Sequence, residues 1–177
     1  PGRMLEPAEI VARLARVWRA QSLAGRSVVI SAGPTFEAID VVRGIVNLSS
    51  GKMGYALASA ASAAGARVTL VSGQTCLPRP PGVEFISIVS AADMLAALEQ
   101  QSSHCDILIS AAAVADYRPK ARSTQKLKKS DAPLMLEMVP TVDILGRIAA
   151  REDAPFCVGF AAENEQLLEH AETKRRA

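Results

Sequence analysis

The densest group of chemistry-bearing residues runs Asn47, Leu48, Ser49, Ser50, Gly51, Lys52, Met53, Gly54. It stands directly ahead of an Ala-rich stretch, 55–64, whose composition reads as a helix and which Gly65 would stop. A helix start carries unpaired N–H groups and the positive end of the peptide dipole, which suits a phosphate. Two hydroxyls, a flexible glycine and a cation at such a start therefore point to a bound anion. The plain alternative is an N-cap serine followed by small packing residues. The spacing is neither GxxxxGK[ST] nor GxGxxG, so neither the P-loop nor the standard dinucleotide fingerprint is present.

Two further segments share this character. Ser31-Ala32-Gly33-Pro34-Thr35 follows an apolar run, and Gly33 would let a ligand approach the backbone; a plain strand-to-helix turn reads equally well. Ala111-Ala112-Ala113-Val114-Ala115-Asp116-Tyr117 follows another apolar run. Its small side chains leave room for a planar ring whose edge main-chain groups could read. Asp116 could hold a cation near phosphates, or simply cap a turn. Downstream, Lys126-Leu127-Lys128-Lys129 lies in a basic, polar stretch, 117–131, that reads as a mobile loop. Such a run is a solvated face or, beside a phosphate site, a lid. His104 and His170 read as surface or boundary residues.

The elements that would position these groups alternate. Apolar, β-branched runs at 26–31, 67–72, 83–89, 106–110 and 155–160 read as buried strands. Helical stretches fall at 55–64, 91–101 (with Ser90 or Asp93 near its start), 142–151 and 163–176, and 1–25 reads as a helix with loose ends. This order predicts a Rossmann-like, doubly wound α/β fold, a mainly parallel sheet with helices on both faces. In such sheets ligands gather at the carboxyl ends of the strands, which is where the three segments fall.

Composition agrees with an α/β domain. The chain has 177 residues, 49% of them hydrophobic and only 4% aromatic, within the ordinary range for a globular protein. A net charge of +2 gives no field that would draw nucleic acid or a membrane surface. Cys76, Cys105 and Cys157 are widely spaced with no CxxC, and read as free thiols in a reducing, cytoplasmic setting. No apolar run reaches the ~18 residues of a membrane span, and residues 1–9 lack the order of a signal peptide.

Taken in order, AGPT at 32–35, the run 39–43, NLSSGKMG at 47–54, VTLVSG at 68–73, AAAVADY at 111–117, KLKK at 126–129 and GFAAE at 159–163 resemble the bacterial phosphopantothenoylcysteine synthetases. The resemblance covers roughly 26–177, and residues 2–10 resemble the tail of the flavin-dependent decarboxylase often fused upstream. It implies a synthetase domain over 26–177, a linker helix over 1–25, and FMN only in a decarboxylase domain outside this chain. It further implies a two-step ligation in which the 4'-phosphopantothenate carboxylate attacks CTP to give an acyl-cytidylate, which the amine of cysteine then opens. Mg²⁺ and a homodimer come with it. By the same resemblance Asn47 contacts the acyl-cytidylate, Ser49, Ser50, Gly51 and Lys52 lie by the phosphates, and Gly33 sits in the nucleotide site. Ala111, Ala112, Ala113 and Phe160 frame the cytosine. Asp116 binds nucleotide or metal, Lys126 is a lid lysine on the triphosphate, and Lys174 is the first of two lysines that hold the nucleotide.

The chain departs from that pattern in three places. Phe36 stands where Arg is usual, Gly44 where an aromatic is usual, and Pro140-Thr141-Val142-Asp143 where the nucleotide-contacting turn reads KNPD. The last helix ends at Ala177 without a closing signal, which reads as a chain cut short of a further strand. Two other readings stay open on the residues alone: an NAD(P)-dependent oxidoreductase, and a nucleotide-binding fragment without turnover.

Overall fold

The computed structural model describes residues 4–7, 9–11, 14, 21–160 and 172. Five strands form one parallel sheet: β1 (Ser27–Ala32), β4 (Arg67–Ser72), β5 (Glu84–Ser87), β6 (Ile107–Ser110) and β9 (Phe156–Gly159), in the order β5-β4-β1-β6-β9. Strand order reverses beside β1, which puts the switch point of the sheet, the place where such sheets form their ligand crevice, at the carboxyl ends of β1 and β6. A parallel sheet of this kind needs cover on both faces, and the alternation along β1 supplies it. Val28, Ile30 and Ala32 pack with Tyr55, Ala58 and Ala61 of α1 (Lys52–Ala63). Val29 points the other way, to Met94 and Leu98 of α2 (Ala91–Ser102) and Ile144 and Ile148 of α3 (Ile144–Ala149). Ile30, Leu70, Met94, Leu98, Leu108 and Ile148 are fully buried.

The doubly wound expectation therefore holds, with corrections at the edges of elements. Helix α1 begins at Lys52 rather than 55, because Gly51 at its N-cap takes a left-handed conformation that ends the preceding extended chain one turn sooner. Strand β5 is shorter than 83–89. Helix α3 begins after Asp143, not at 142, because the Asp143 carboxylate accepts the N–H of Gly146 and fixes the start. Helix α2 carries the full capping box, with Ser90 and Asp93 each bonding the other's main-chain N–H.

Two small antiparallel ribbons escaped the periodicity. β2 (Phe36–Ala38) pairs with β3 (Gly44–Val46), and β7 (Tyr117–Pro119) with β8 (Met138–Pro140). The first occupies residues 36–46, a stretch to which the strand and helix patterns assign no element. The second means that the 117–131 loop starts as a strand. Residues 7, 9–11 and 14 are helical, and Glu172 is helical. Trp18, Lys174 and the remainder of the expected 163–176 helix lie outside the described residues.

Candidate active site at the carboxyl edge of the sheet

At this switch point the main chain that follows β1 and β6 is held in place by two buried hydroxyls. Ser31, fully buried at the end of β1, accepts the N–H groups of Ala111 and Ala112 on its Oγ, both at 3.2 Å. Thr35, also fully buried, accepts the N–H of Ala115 on its Oγ1 at 3.0 Å. Between them Ala113 donates to the Gly33 carbonyl at 2.9 Å and Thr35 donates back to Ala113 at 3.3 Å. The segment after β6 is thus pinned against the loop after β1. Because the N–H groups of Ala111, Ala112 and Ala113 already donate within the protein, a base edge placed against them would be met by carbonyl oxygens, which accept from an exocyclic amino group.

Asn47 reaches the same segment: its Nδ2 donates to the Val114 carbonyl at 2.9 Å. Strand β3 runs directly into it, so the β2–β3 hairpin delivers Asn47 to the crevice. From there the chain turns into α1. Ser49 Oγ accepts the Gly51 N–H at 3.3 Å and Ser50 Oγ accepts the Lys52 N–H at 3.4 Å. Each serine therefore folds back on its own turn, and Gly51 rather than a serine is the N-cap. Gly51 and Gly33 both have positive φ, 72° and 69°, and both press on Thr75: an added Cβ would lie 2.7 and 2.9 Å from its Cγ2. Only glycine meets both demands. Among the described residues the N–H groups of Met53 and Gly54 have no partner in the protein, which leaves two donors and the dipole end of α1 for an anion.

The turn at 140–143 joins this group through Thr141. Its N–H donates to the Asp116 carbonyl at 2.8 Å and its Oγ1 to the Ala115 carbonyl at 2.5 Å. Asp116 itself is exposed, with no side-chain hydrogen bond among the described residues. Asp143 is the N-cap of α3, so its carboxylate is already engaged. Pro140 ends β8, and Val142 is exposed. Phe160 follows β9, beside β6, and is half exposed.

The described structure thus brings together Gly33, Asn47, Gly51, Ala111, Ala112, Ala113, Asp116 and Thr141. Two cations stand apart. Lys52 lines an open groove of about 390 Å³ with Tyr55, Ser59, Leu77 and Arg79. Lys126 is exposed in the segment between β7 and β8. Ser31 and Thr35 lie in a segment expected to border a ligand, but only Gly33 was given a role there; Thr75 was not expected. Ser31 had a readable signal, a polar residue at the end of an otherwise apolar strand.

Among the described residues no three or more His, Cys, Asp or Glu side chains cluster as a metal site. Asp116 offers a single exposed carboxylate, which by itself makes one ligand of a cation that fills the rest of its shell from elsewhere. No described helix is long and apolar enough to cross a membrane. The three cysteines are free, with Cys76 exposed and Cys105 and Cys157 half-buried.

Comparison with known proteins agrees with this architecture. Residues 23–177 match the family model of the DNA/pantothenate metabolism flavoprotein C-terminal domain. The coenzyme A biosynthesis bifunctional protein CoaBC of Vibrio parahaemolyticus is 51% identical over 98% of this chain, and that of Bacillus subtilis 47% identical over 99%. In both cases the chain spans 44% of the relative's length. The crystal structure of a CoaBC C-terminal domain superposes with a TM-score of 0.79 at 43% identity, covering 89% of this chain and 74% of that one. The chain is a member of the DNA/pantothenate metabolism flavoprotein C-terminal domain family.

Proposed function

We propose that this chain is the cysteine-ligating part of a coenzyme A biosynthesis protein: a ligase that uses CTP to join cysteine to 4'-phosphopantothenate. The observation that carries the reading is the convergence of Asn47, the α1 N-terminus and the pinned Ala111–Ala113 backbone on one switch-point crevice. The high identity to CoaBC proteins supports it.

In the first step a carboxylate oxygen of phosphopantothenate forms a bond to the α-phosphorus of CTP, and the bond to the β-phosphate oxygen breaks, releasing pyrophosphate. In the second, the cysteine amine forms a bond to the acyl carbon, the acyl–oxygen bond breaks, and CMP leaves. Both steps must bring an anion or a lone pair toward a polyanion, so fixed donors do most of the work. The free N–H groups at the start of α1 take phosphate oxygens. The Ala111 and Ala112 carbonyls face the base and accept from the cytosine amino group, which uracil lacks. Asn47, oriented by Val114, holds the acyl carbonyl between the two steps. Lys126 closes over the triphosphate from the β7–β8 segment. Mg²⁺ held at Asp116 would neutralise phosphate charge.

Calorimetric titration of the chain with CTP, UTP and ATP tests the reading. CTP must bind and UTP must not. Equal binding of CTP and UTP would contradict the base assignment.

A homodimer belongs to the same reading. Phe36, Val41, Val42 and Val46 are exposed on the hairpin, and Leu48 beside it is fully exposed. Such a patch suits a second copy. A Leu48→Glu variant that sediments like the parent chain would count against that face.

A further inference from the structure

The segment that carries Lys126 is tied to the rest of the protein through the turn of the β2–β3 hairpin. Asp40 lies in that turn with its side chain fully buried. It accepts the N–H groups of Val42 and Arg43, each at 2.7 Å, and the Arg43 guanidinium at 2.6 and 3.1 Å. Those bonds suffice to close the turn. Asp40 also accepts the N–H of Leu127 at 3.0 Å, from 87 positions away, and Arg43 Nη2 donates to the Leu127 carbonyl at 2.5 Å. One ion pair therefore takes both main-chain groups of Leu127. Ser123 adds a tie nearby, its N–H donating to the Ile39 carbonyl at 2.9 Å. Beyond it, from 128 to 136, the hydrogen bond among the described residues is local, Ser130 Oγ to the Ala132 carbonyl.

Burial opposes the charge on Asp40, but the three N–H groups and the guanidinium outweigh it and hold the carboxyl well below the usual carboxylate range. The pair is thus charged at any pH at which the fold is used. A fixed Leu127 also fixes where its neighbour Lys126 leaves the backbone, and the hairpin that fixes it runs through β3 into Asn47.

We propose that Asp40 and Arg43 form a positioning clasp which, through the main chain of Leu127, fixes the point of the backbone from which Lys126 must reach a nucleotide held beside Asn47. The proposal rests on the nucleotide reading above. Neither residue need touch the substrate.

Two measurements test it on the intact chain. Hydrogen exchange is followed at the Leu127 amide in the parent, in Arg43→Ala and in Arg43→Lys, with the amides of β1 and β4 as internal standards. Arg43→Ala is preferred because Arg43 is 45% exposed, whereas Asp40→Asn alters a buried charge and can prevent folding. Exchange at Leu127 should accelerate by about 10-fold or more in Arg43→Ala, as expected when a charge-assisted bond is lost, and less in Arg43→Lys, while the β1 and β4 amides hold. In parallel, CTP affinity is measured for Arg43→Ala, Lys126→Ala and the double variant. Each single change should weaken binding by about 10-fold, and the double variant should be no weaker than Lys126→Ala alone. Unchanged exchange at Leu127 would overturn the clasp. Faster exchange with unchanged CTP affinity in Arg43→Ala, or fully additive losses, would overturn its positioning role. Unchanged affinity in Lys126→Ala would place the failure in the nucleotide role of that lysine instead, with the exchange result still deciding the clasp.

Discussion

Replacing Ser31 by Ala isolates the contact on which the crevice depends. The substitution removes one oxygen from a fully buried position and leaves the strand's shape intact. Ala111 keeps a bond to the Ser31 carbonyl at 3.3 Å, but Ala112 loses its acceptor. A buried donor without a partner costs about 1–3 kcal/mol. Ala112 is half-buried and water can reach it, which puts the expected loss at the lower end, about 1–2 kcal/mol. For a domain of this size each kcal/mol moves the melting point by about 2–4 °C, so Tm should fall by about 2–8 °C. If binding must restore about 1 kcal/mol of lost order in the segment after β6, nucleotide affinity falls about fivefold. Ser110 gives the control. It is the register partner of Ser31 on β6, and its hydroxyl makes no hydrogen bond among the described residues. Ser110→Ala should therefore stay within about 0.5 kcal/mol of the parent. Scanning calorimetry and CTP titration of both variants decide the matter. Equal Tm values for the two would refute the view that Ser31 pins the segment after β6.

Other consequences follow from the same geometry. Asn47→Asp removes the donor to Val114 and sets a carboxylate oxygen against that carbonyl. CTP should still bind and release pyrophosphate, while mass spectrometry finds the acyl-cytidylate accumulating in place of the amide product. Normal amide formation would remove Asn47 from the second step. Lys126→Gln should lower kcat/KM for CTP by about 10–100-fold, the loss of one charge-assisted contact of about 1.5–3 kcal/mol. An unchanged value would mean that another segment covers the triphosphate. The thiols give a pH test. Burial, helped by the charges of Cys157 and Asp106, pushes the Cys105 thiol up to about 11, and burial raises Cys157 as well. A raised thiol pKa keeps the sulfur protonated, and so unreactive, through neutral pH. Iodoacetamide mapping at pH 8 should label exposed Cys76 first, and Cys105 should catch up only as pH approaches 11. Equal labelling at pH 8 would contradict its half-buried placement.

The fold was legible wherever one residue run decided the matter. The apolar runs of β1, β4 and β6 are long enough to name themselves, and their alternation with helices dictates a parallel, doubly wound sheet. Ser90 and Asp93 announced the start of α2. The two ribbons were not legible, because strands of three residues with mixed polarity exist only through partners that sequence spacing does not reveal. β7 finds β8 across the whole lysine-bearing segment. The site divides in the same way. Asn47, Gly51, Ala111–Ala113 and Asp116 were readable as small or polar residues after strands and ahead of a helix. Thr35 and Asp40 were not, since their role is to hold other main chain, and a buried hydroxyl or carboxylate looks in sequence like any surface one. The 140–143 turn shows the limit most clearly. Thr141 ties it to the crevice by main-chain and hydroxyl bonds, although two of the polar residues usual at that turn are replaced.

The most direct test of the account is to supply the chain with CTP, phosphopantothenate, cysteine and Mg²⁺ and to quantify the products by mass spectrometry. Phosphopantothenoylcysteine, CMP and pyrophosphate should form in equal amounts, with UTP unable to replace CTP. CTP hydrolysis without an amide product, or amide formation driven equally by UTP, would contradict the account.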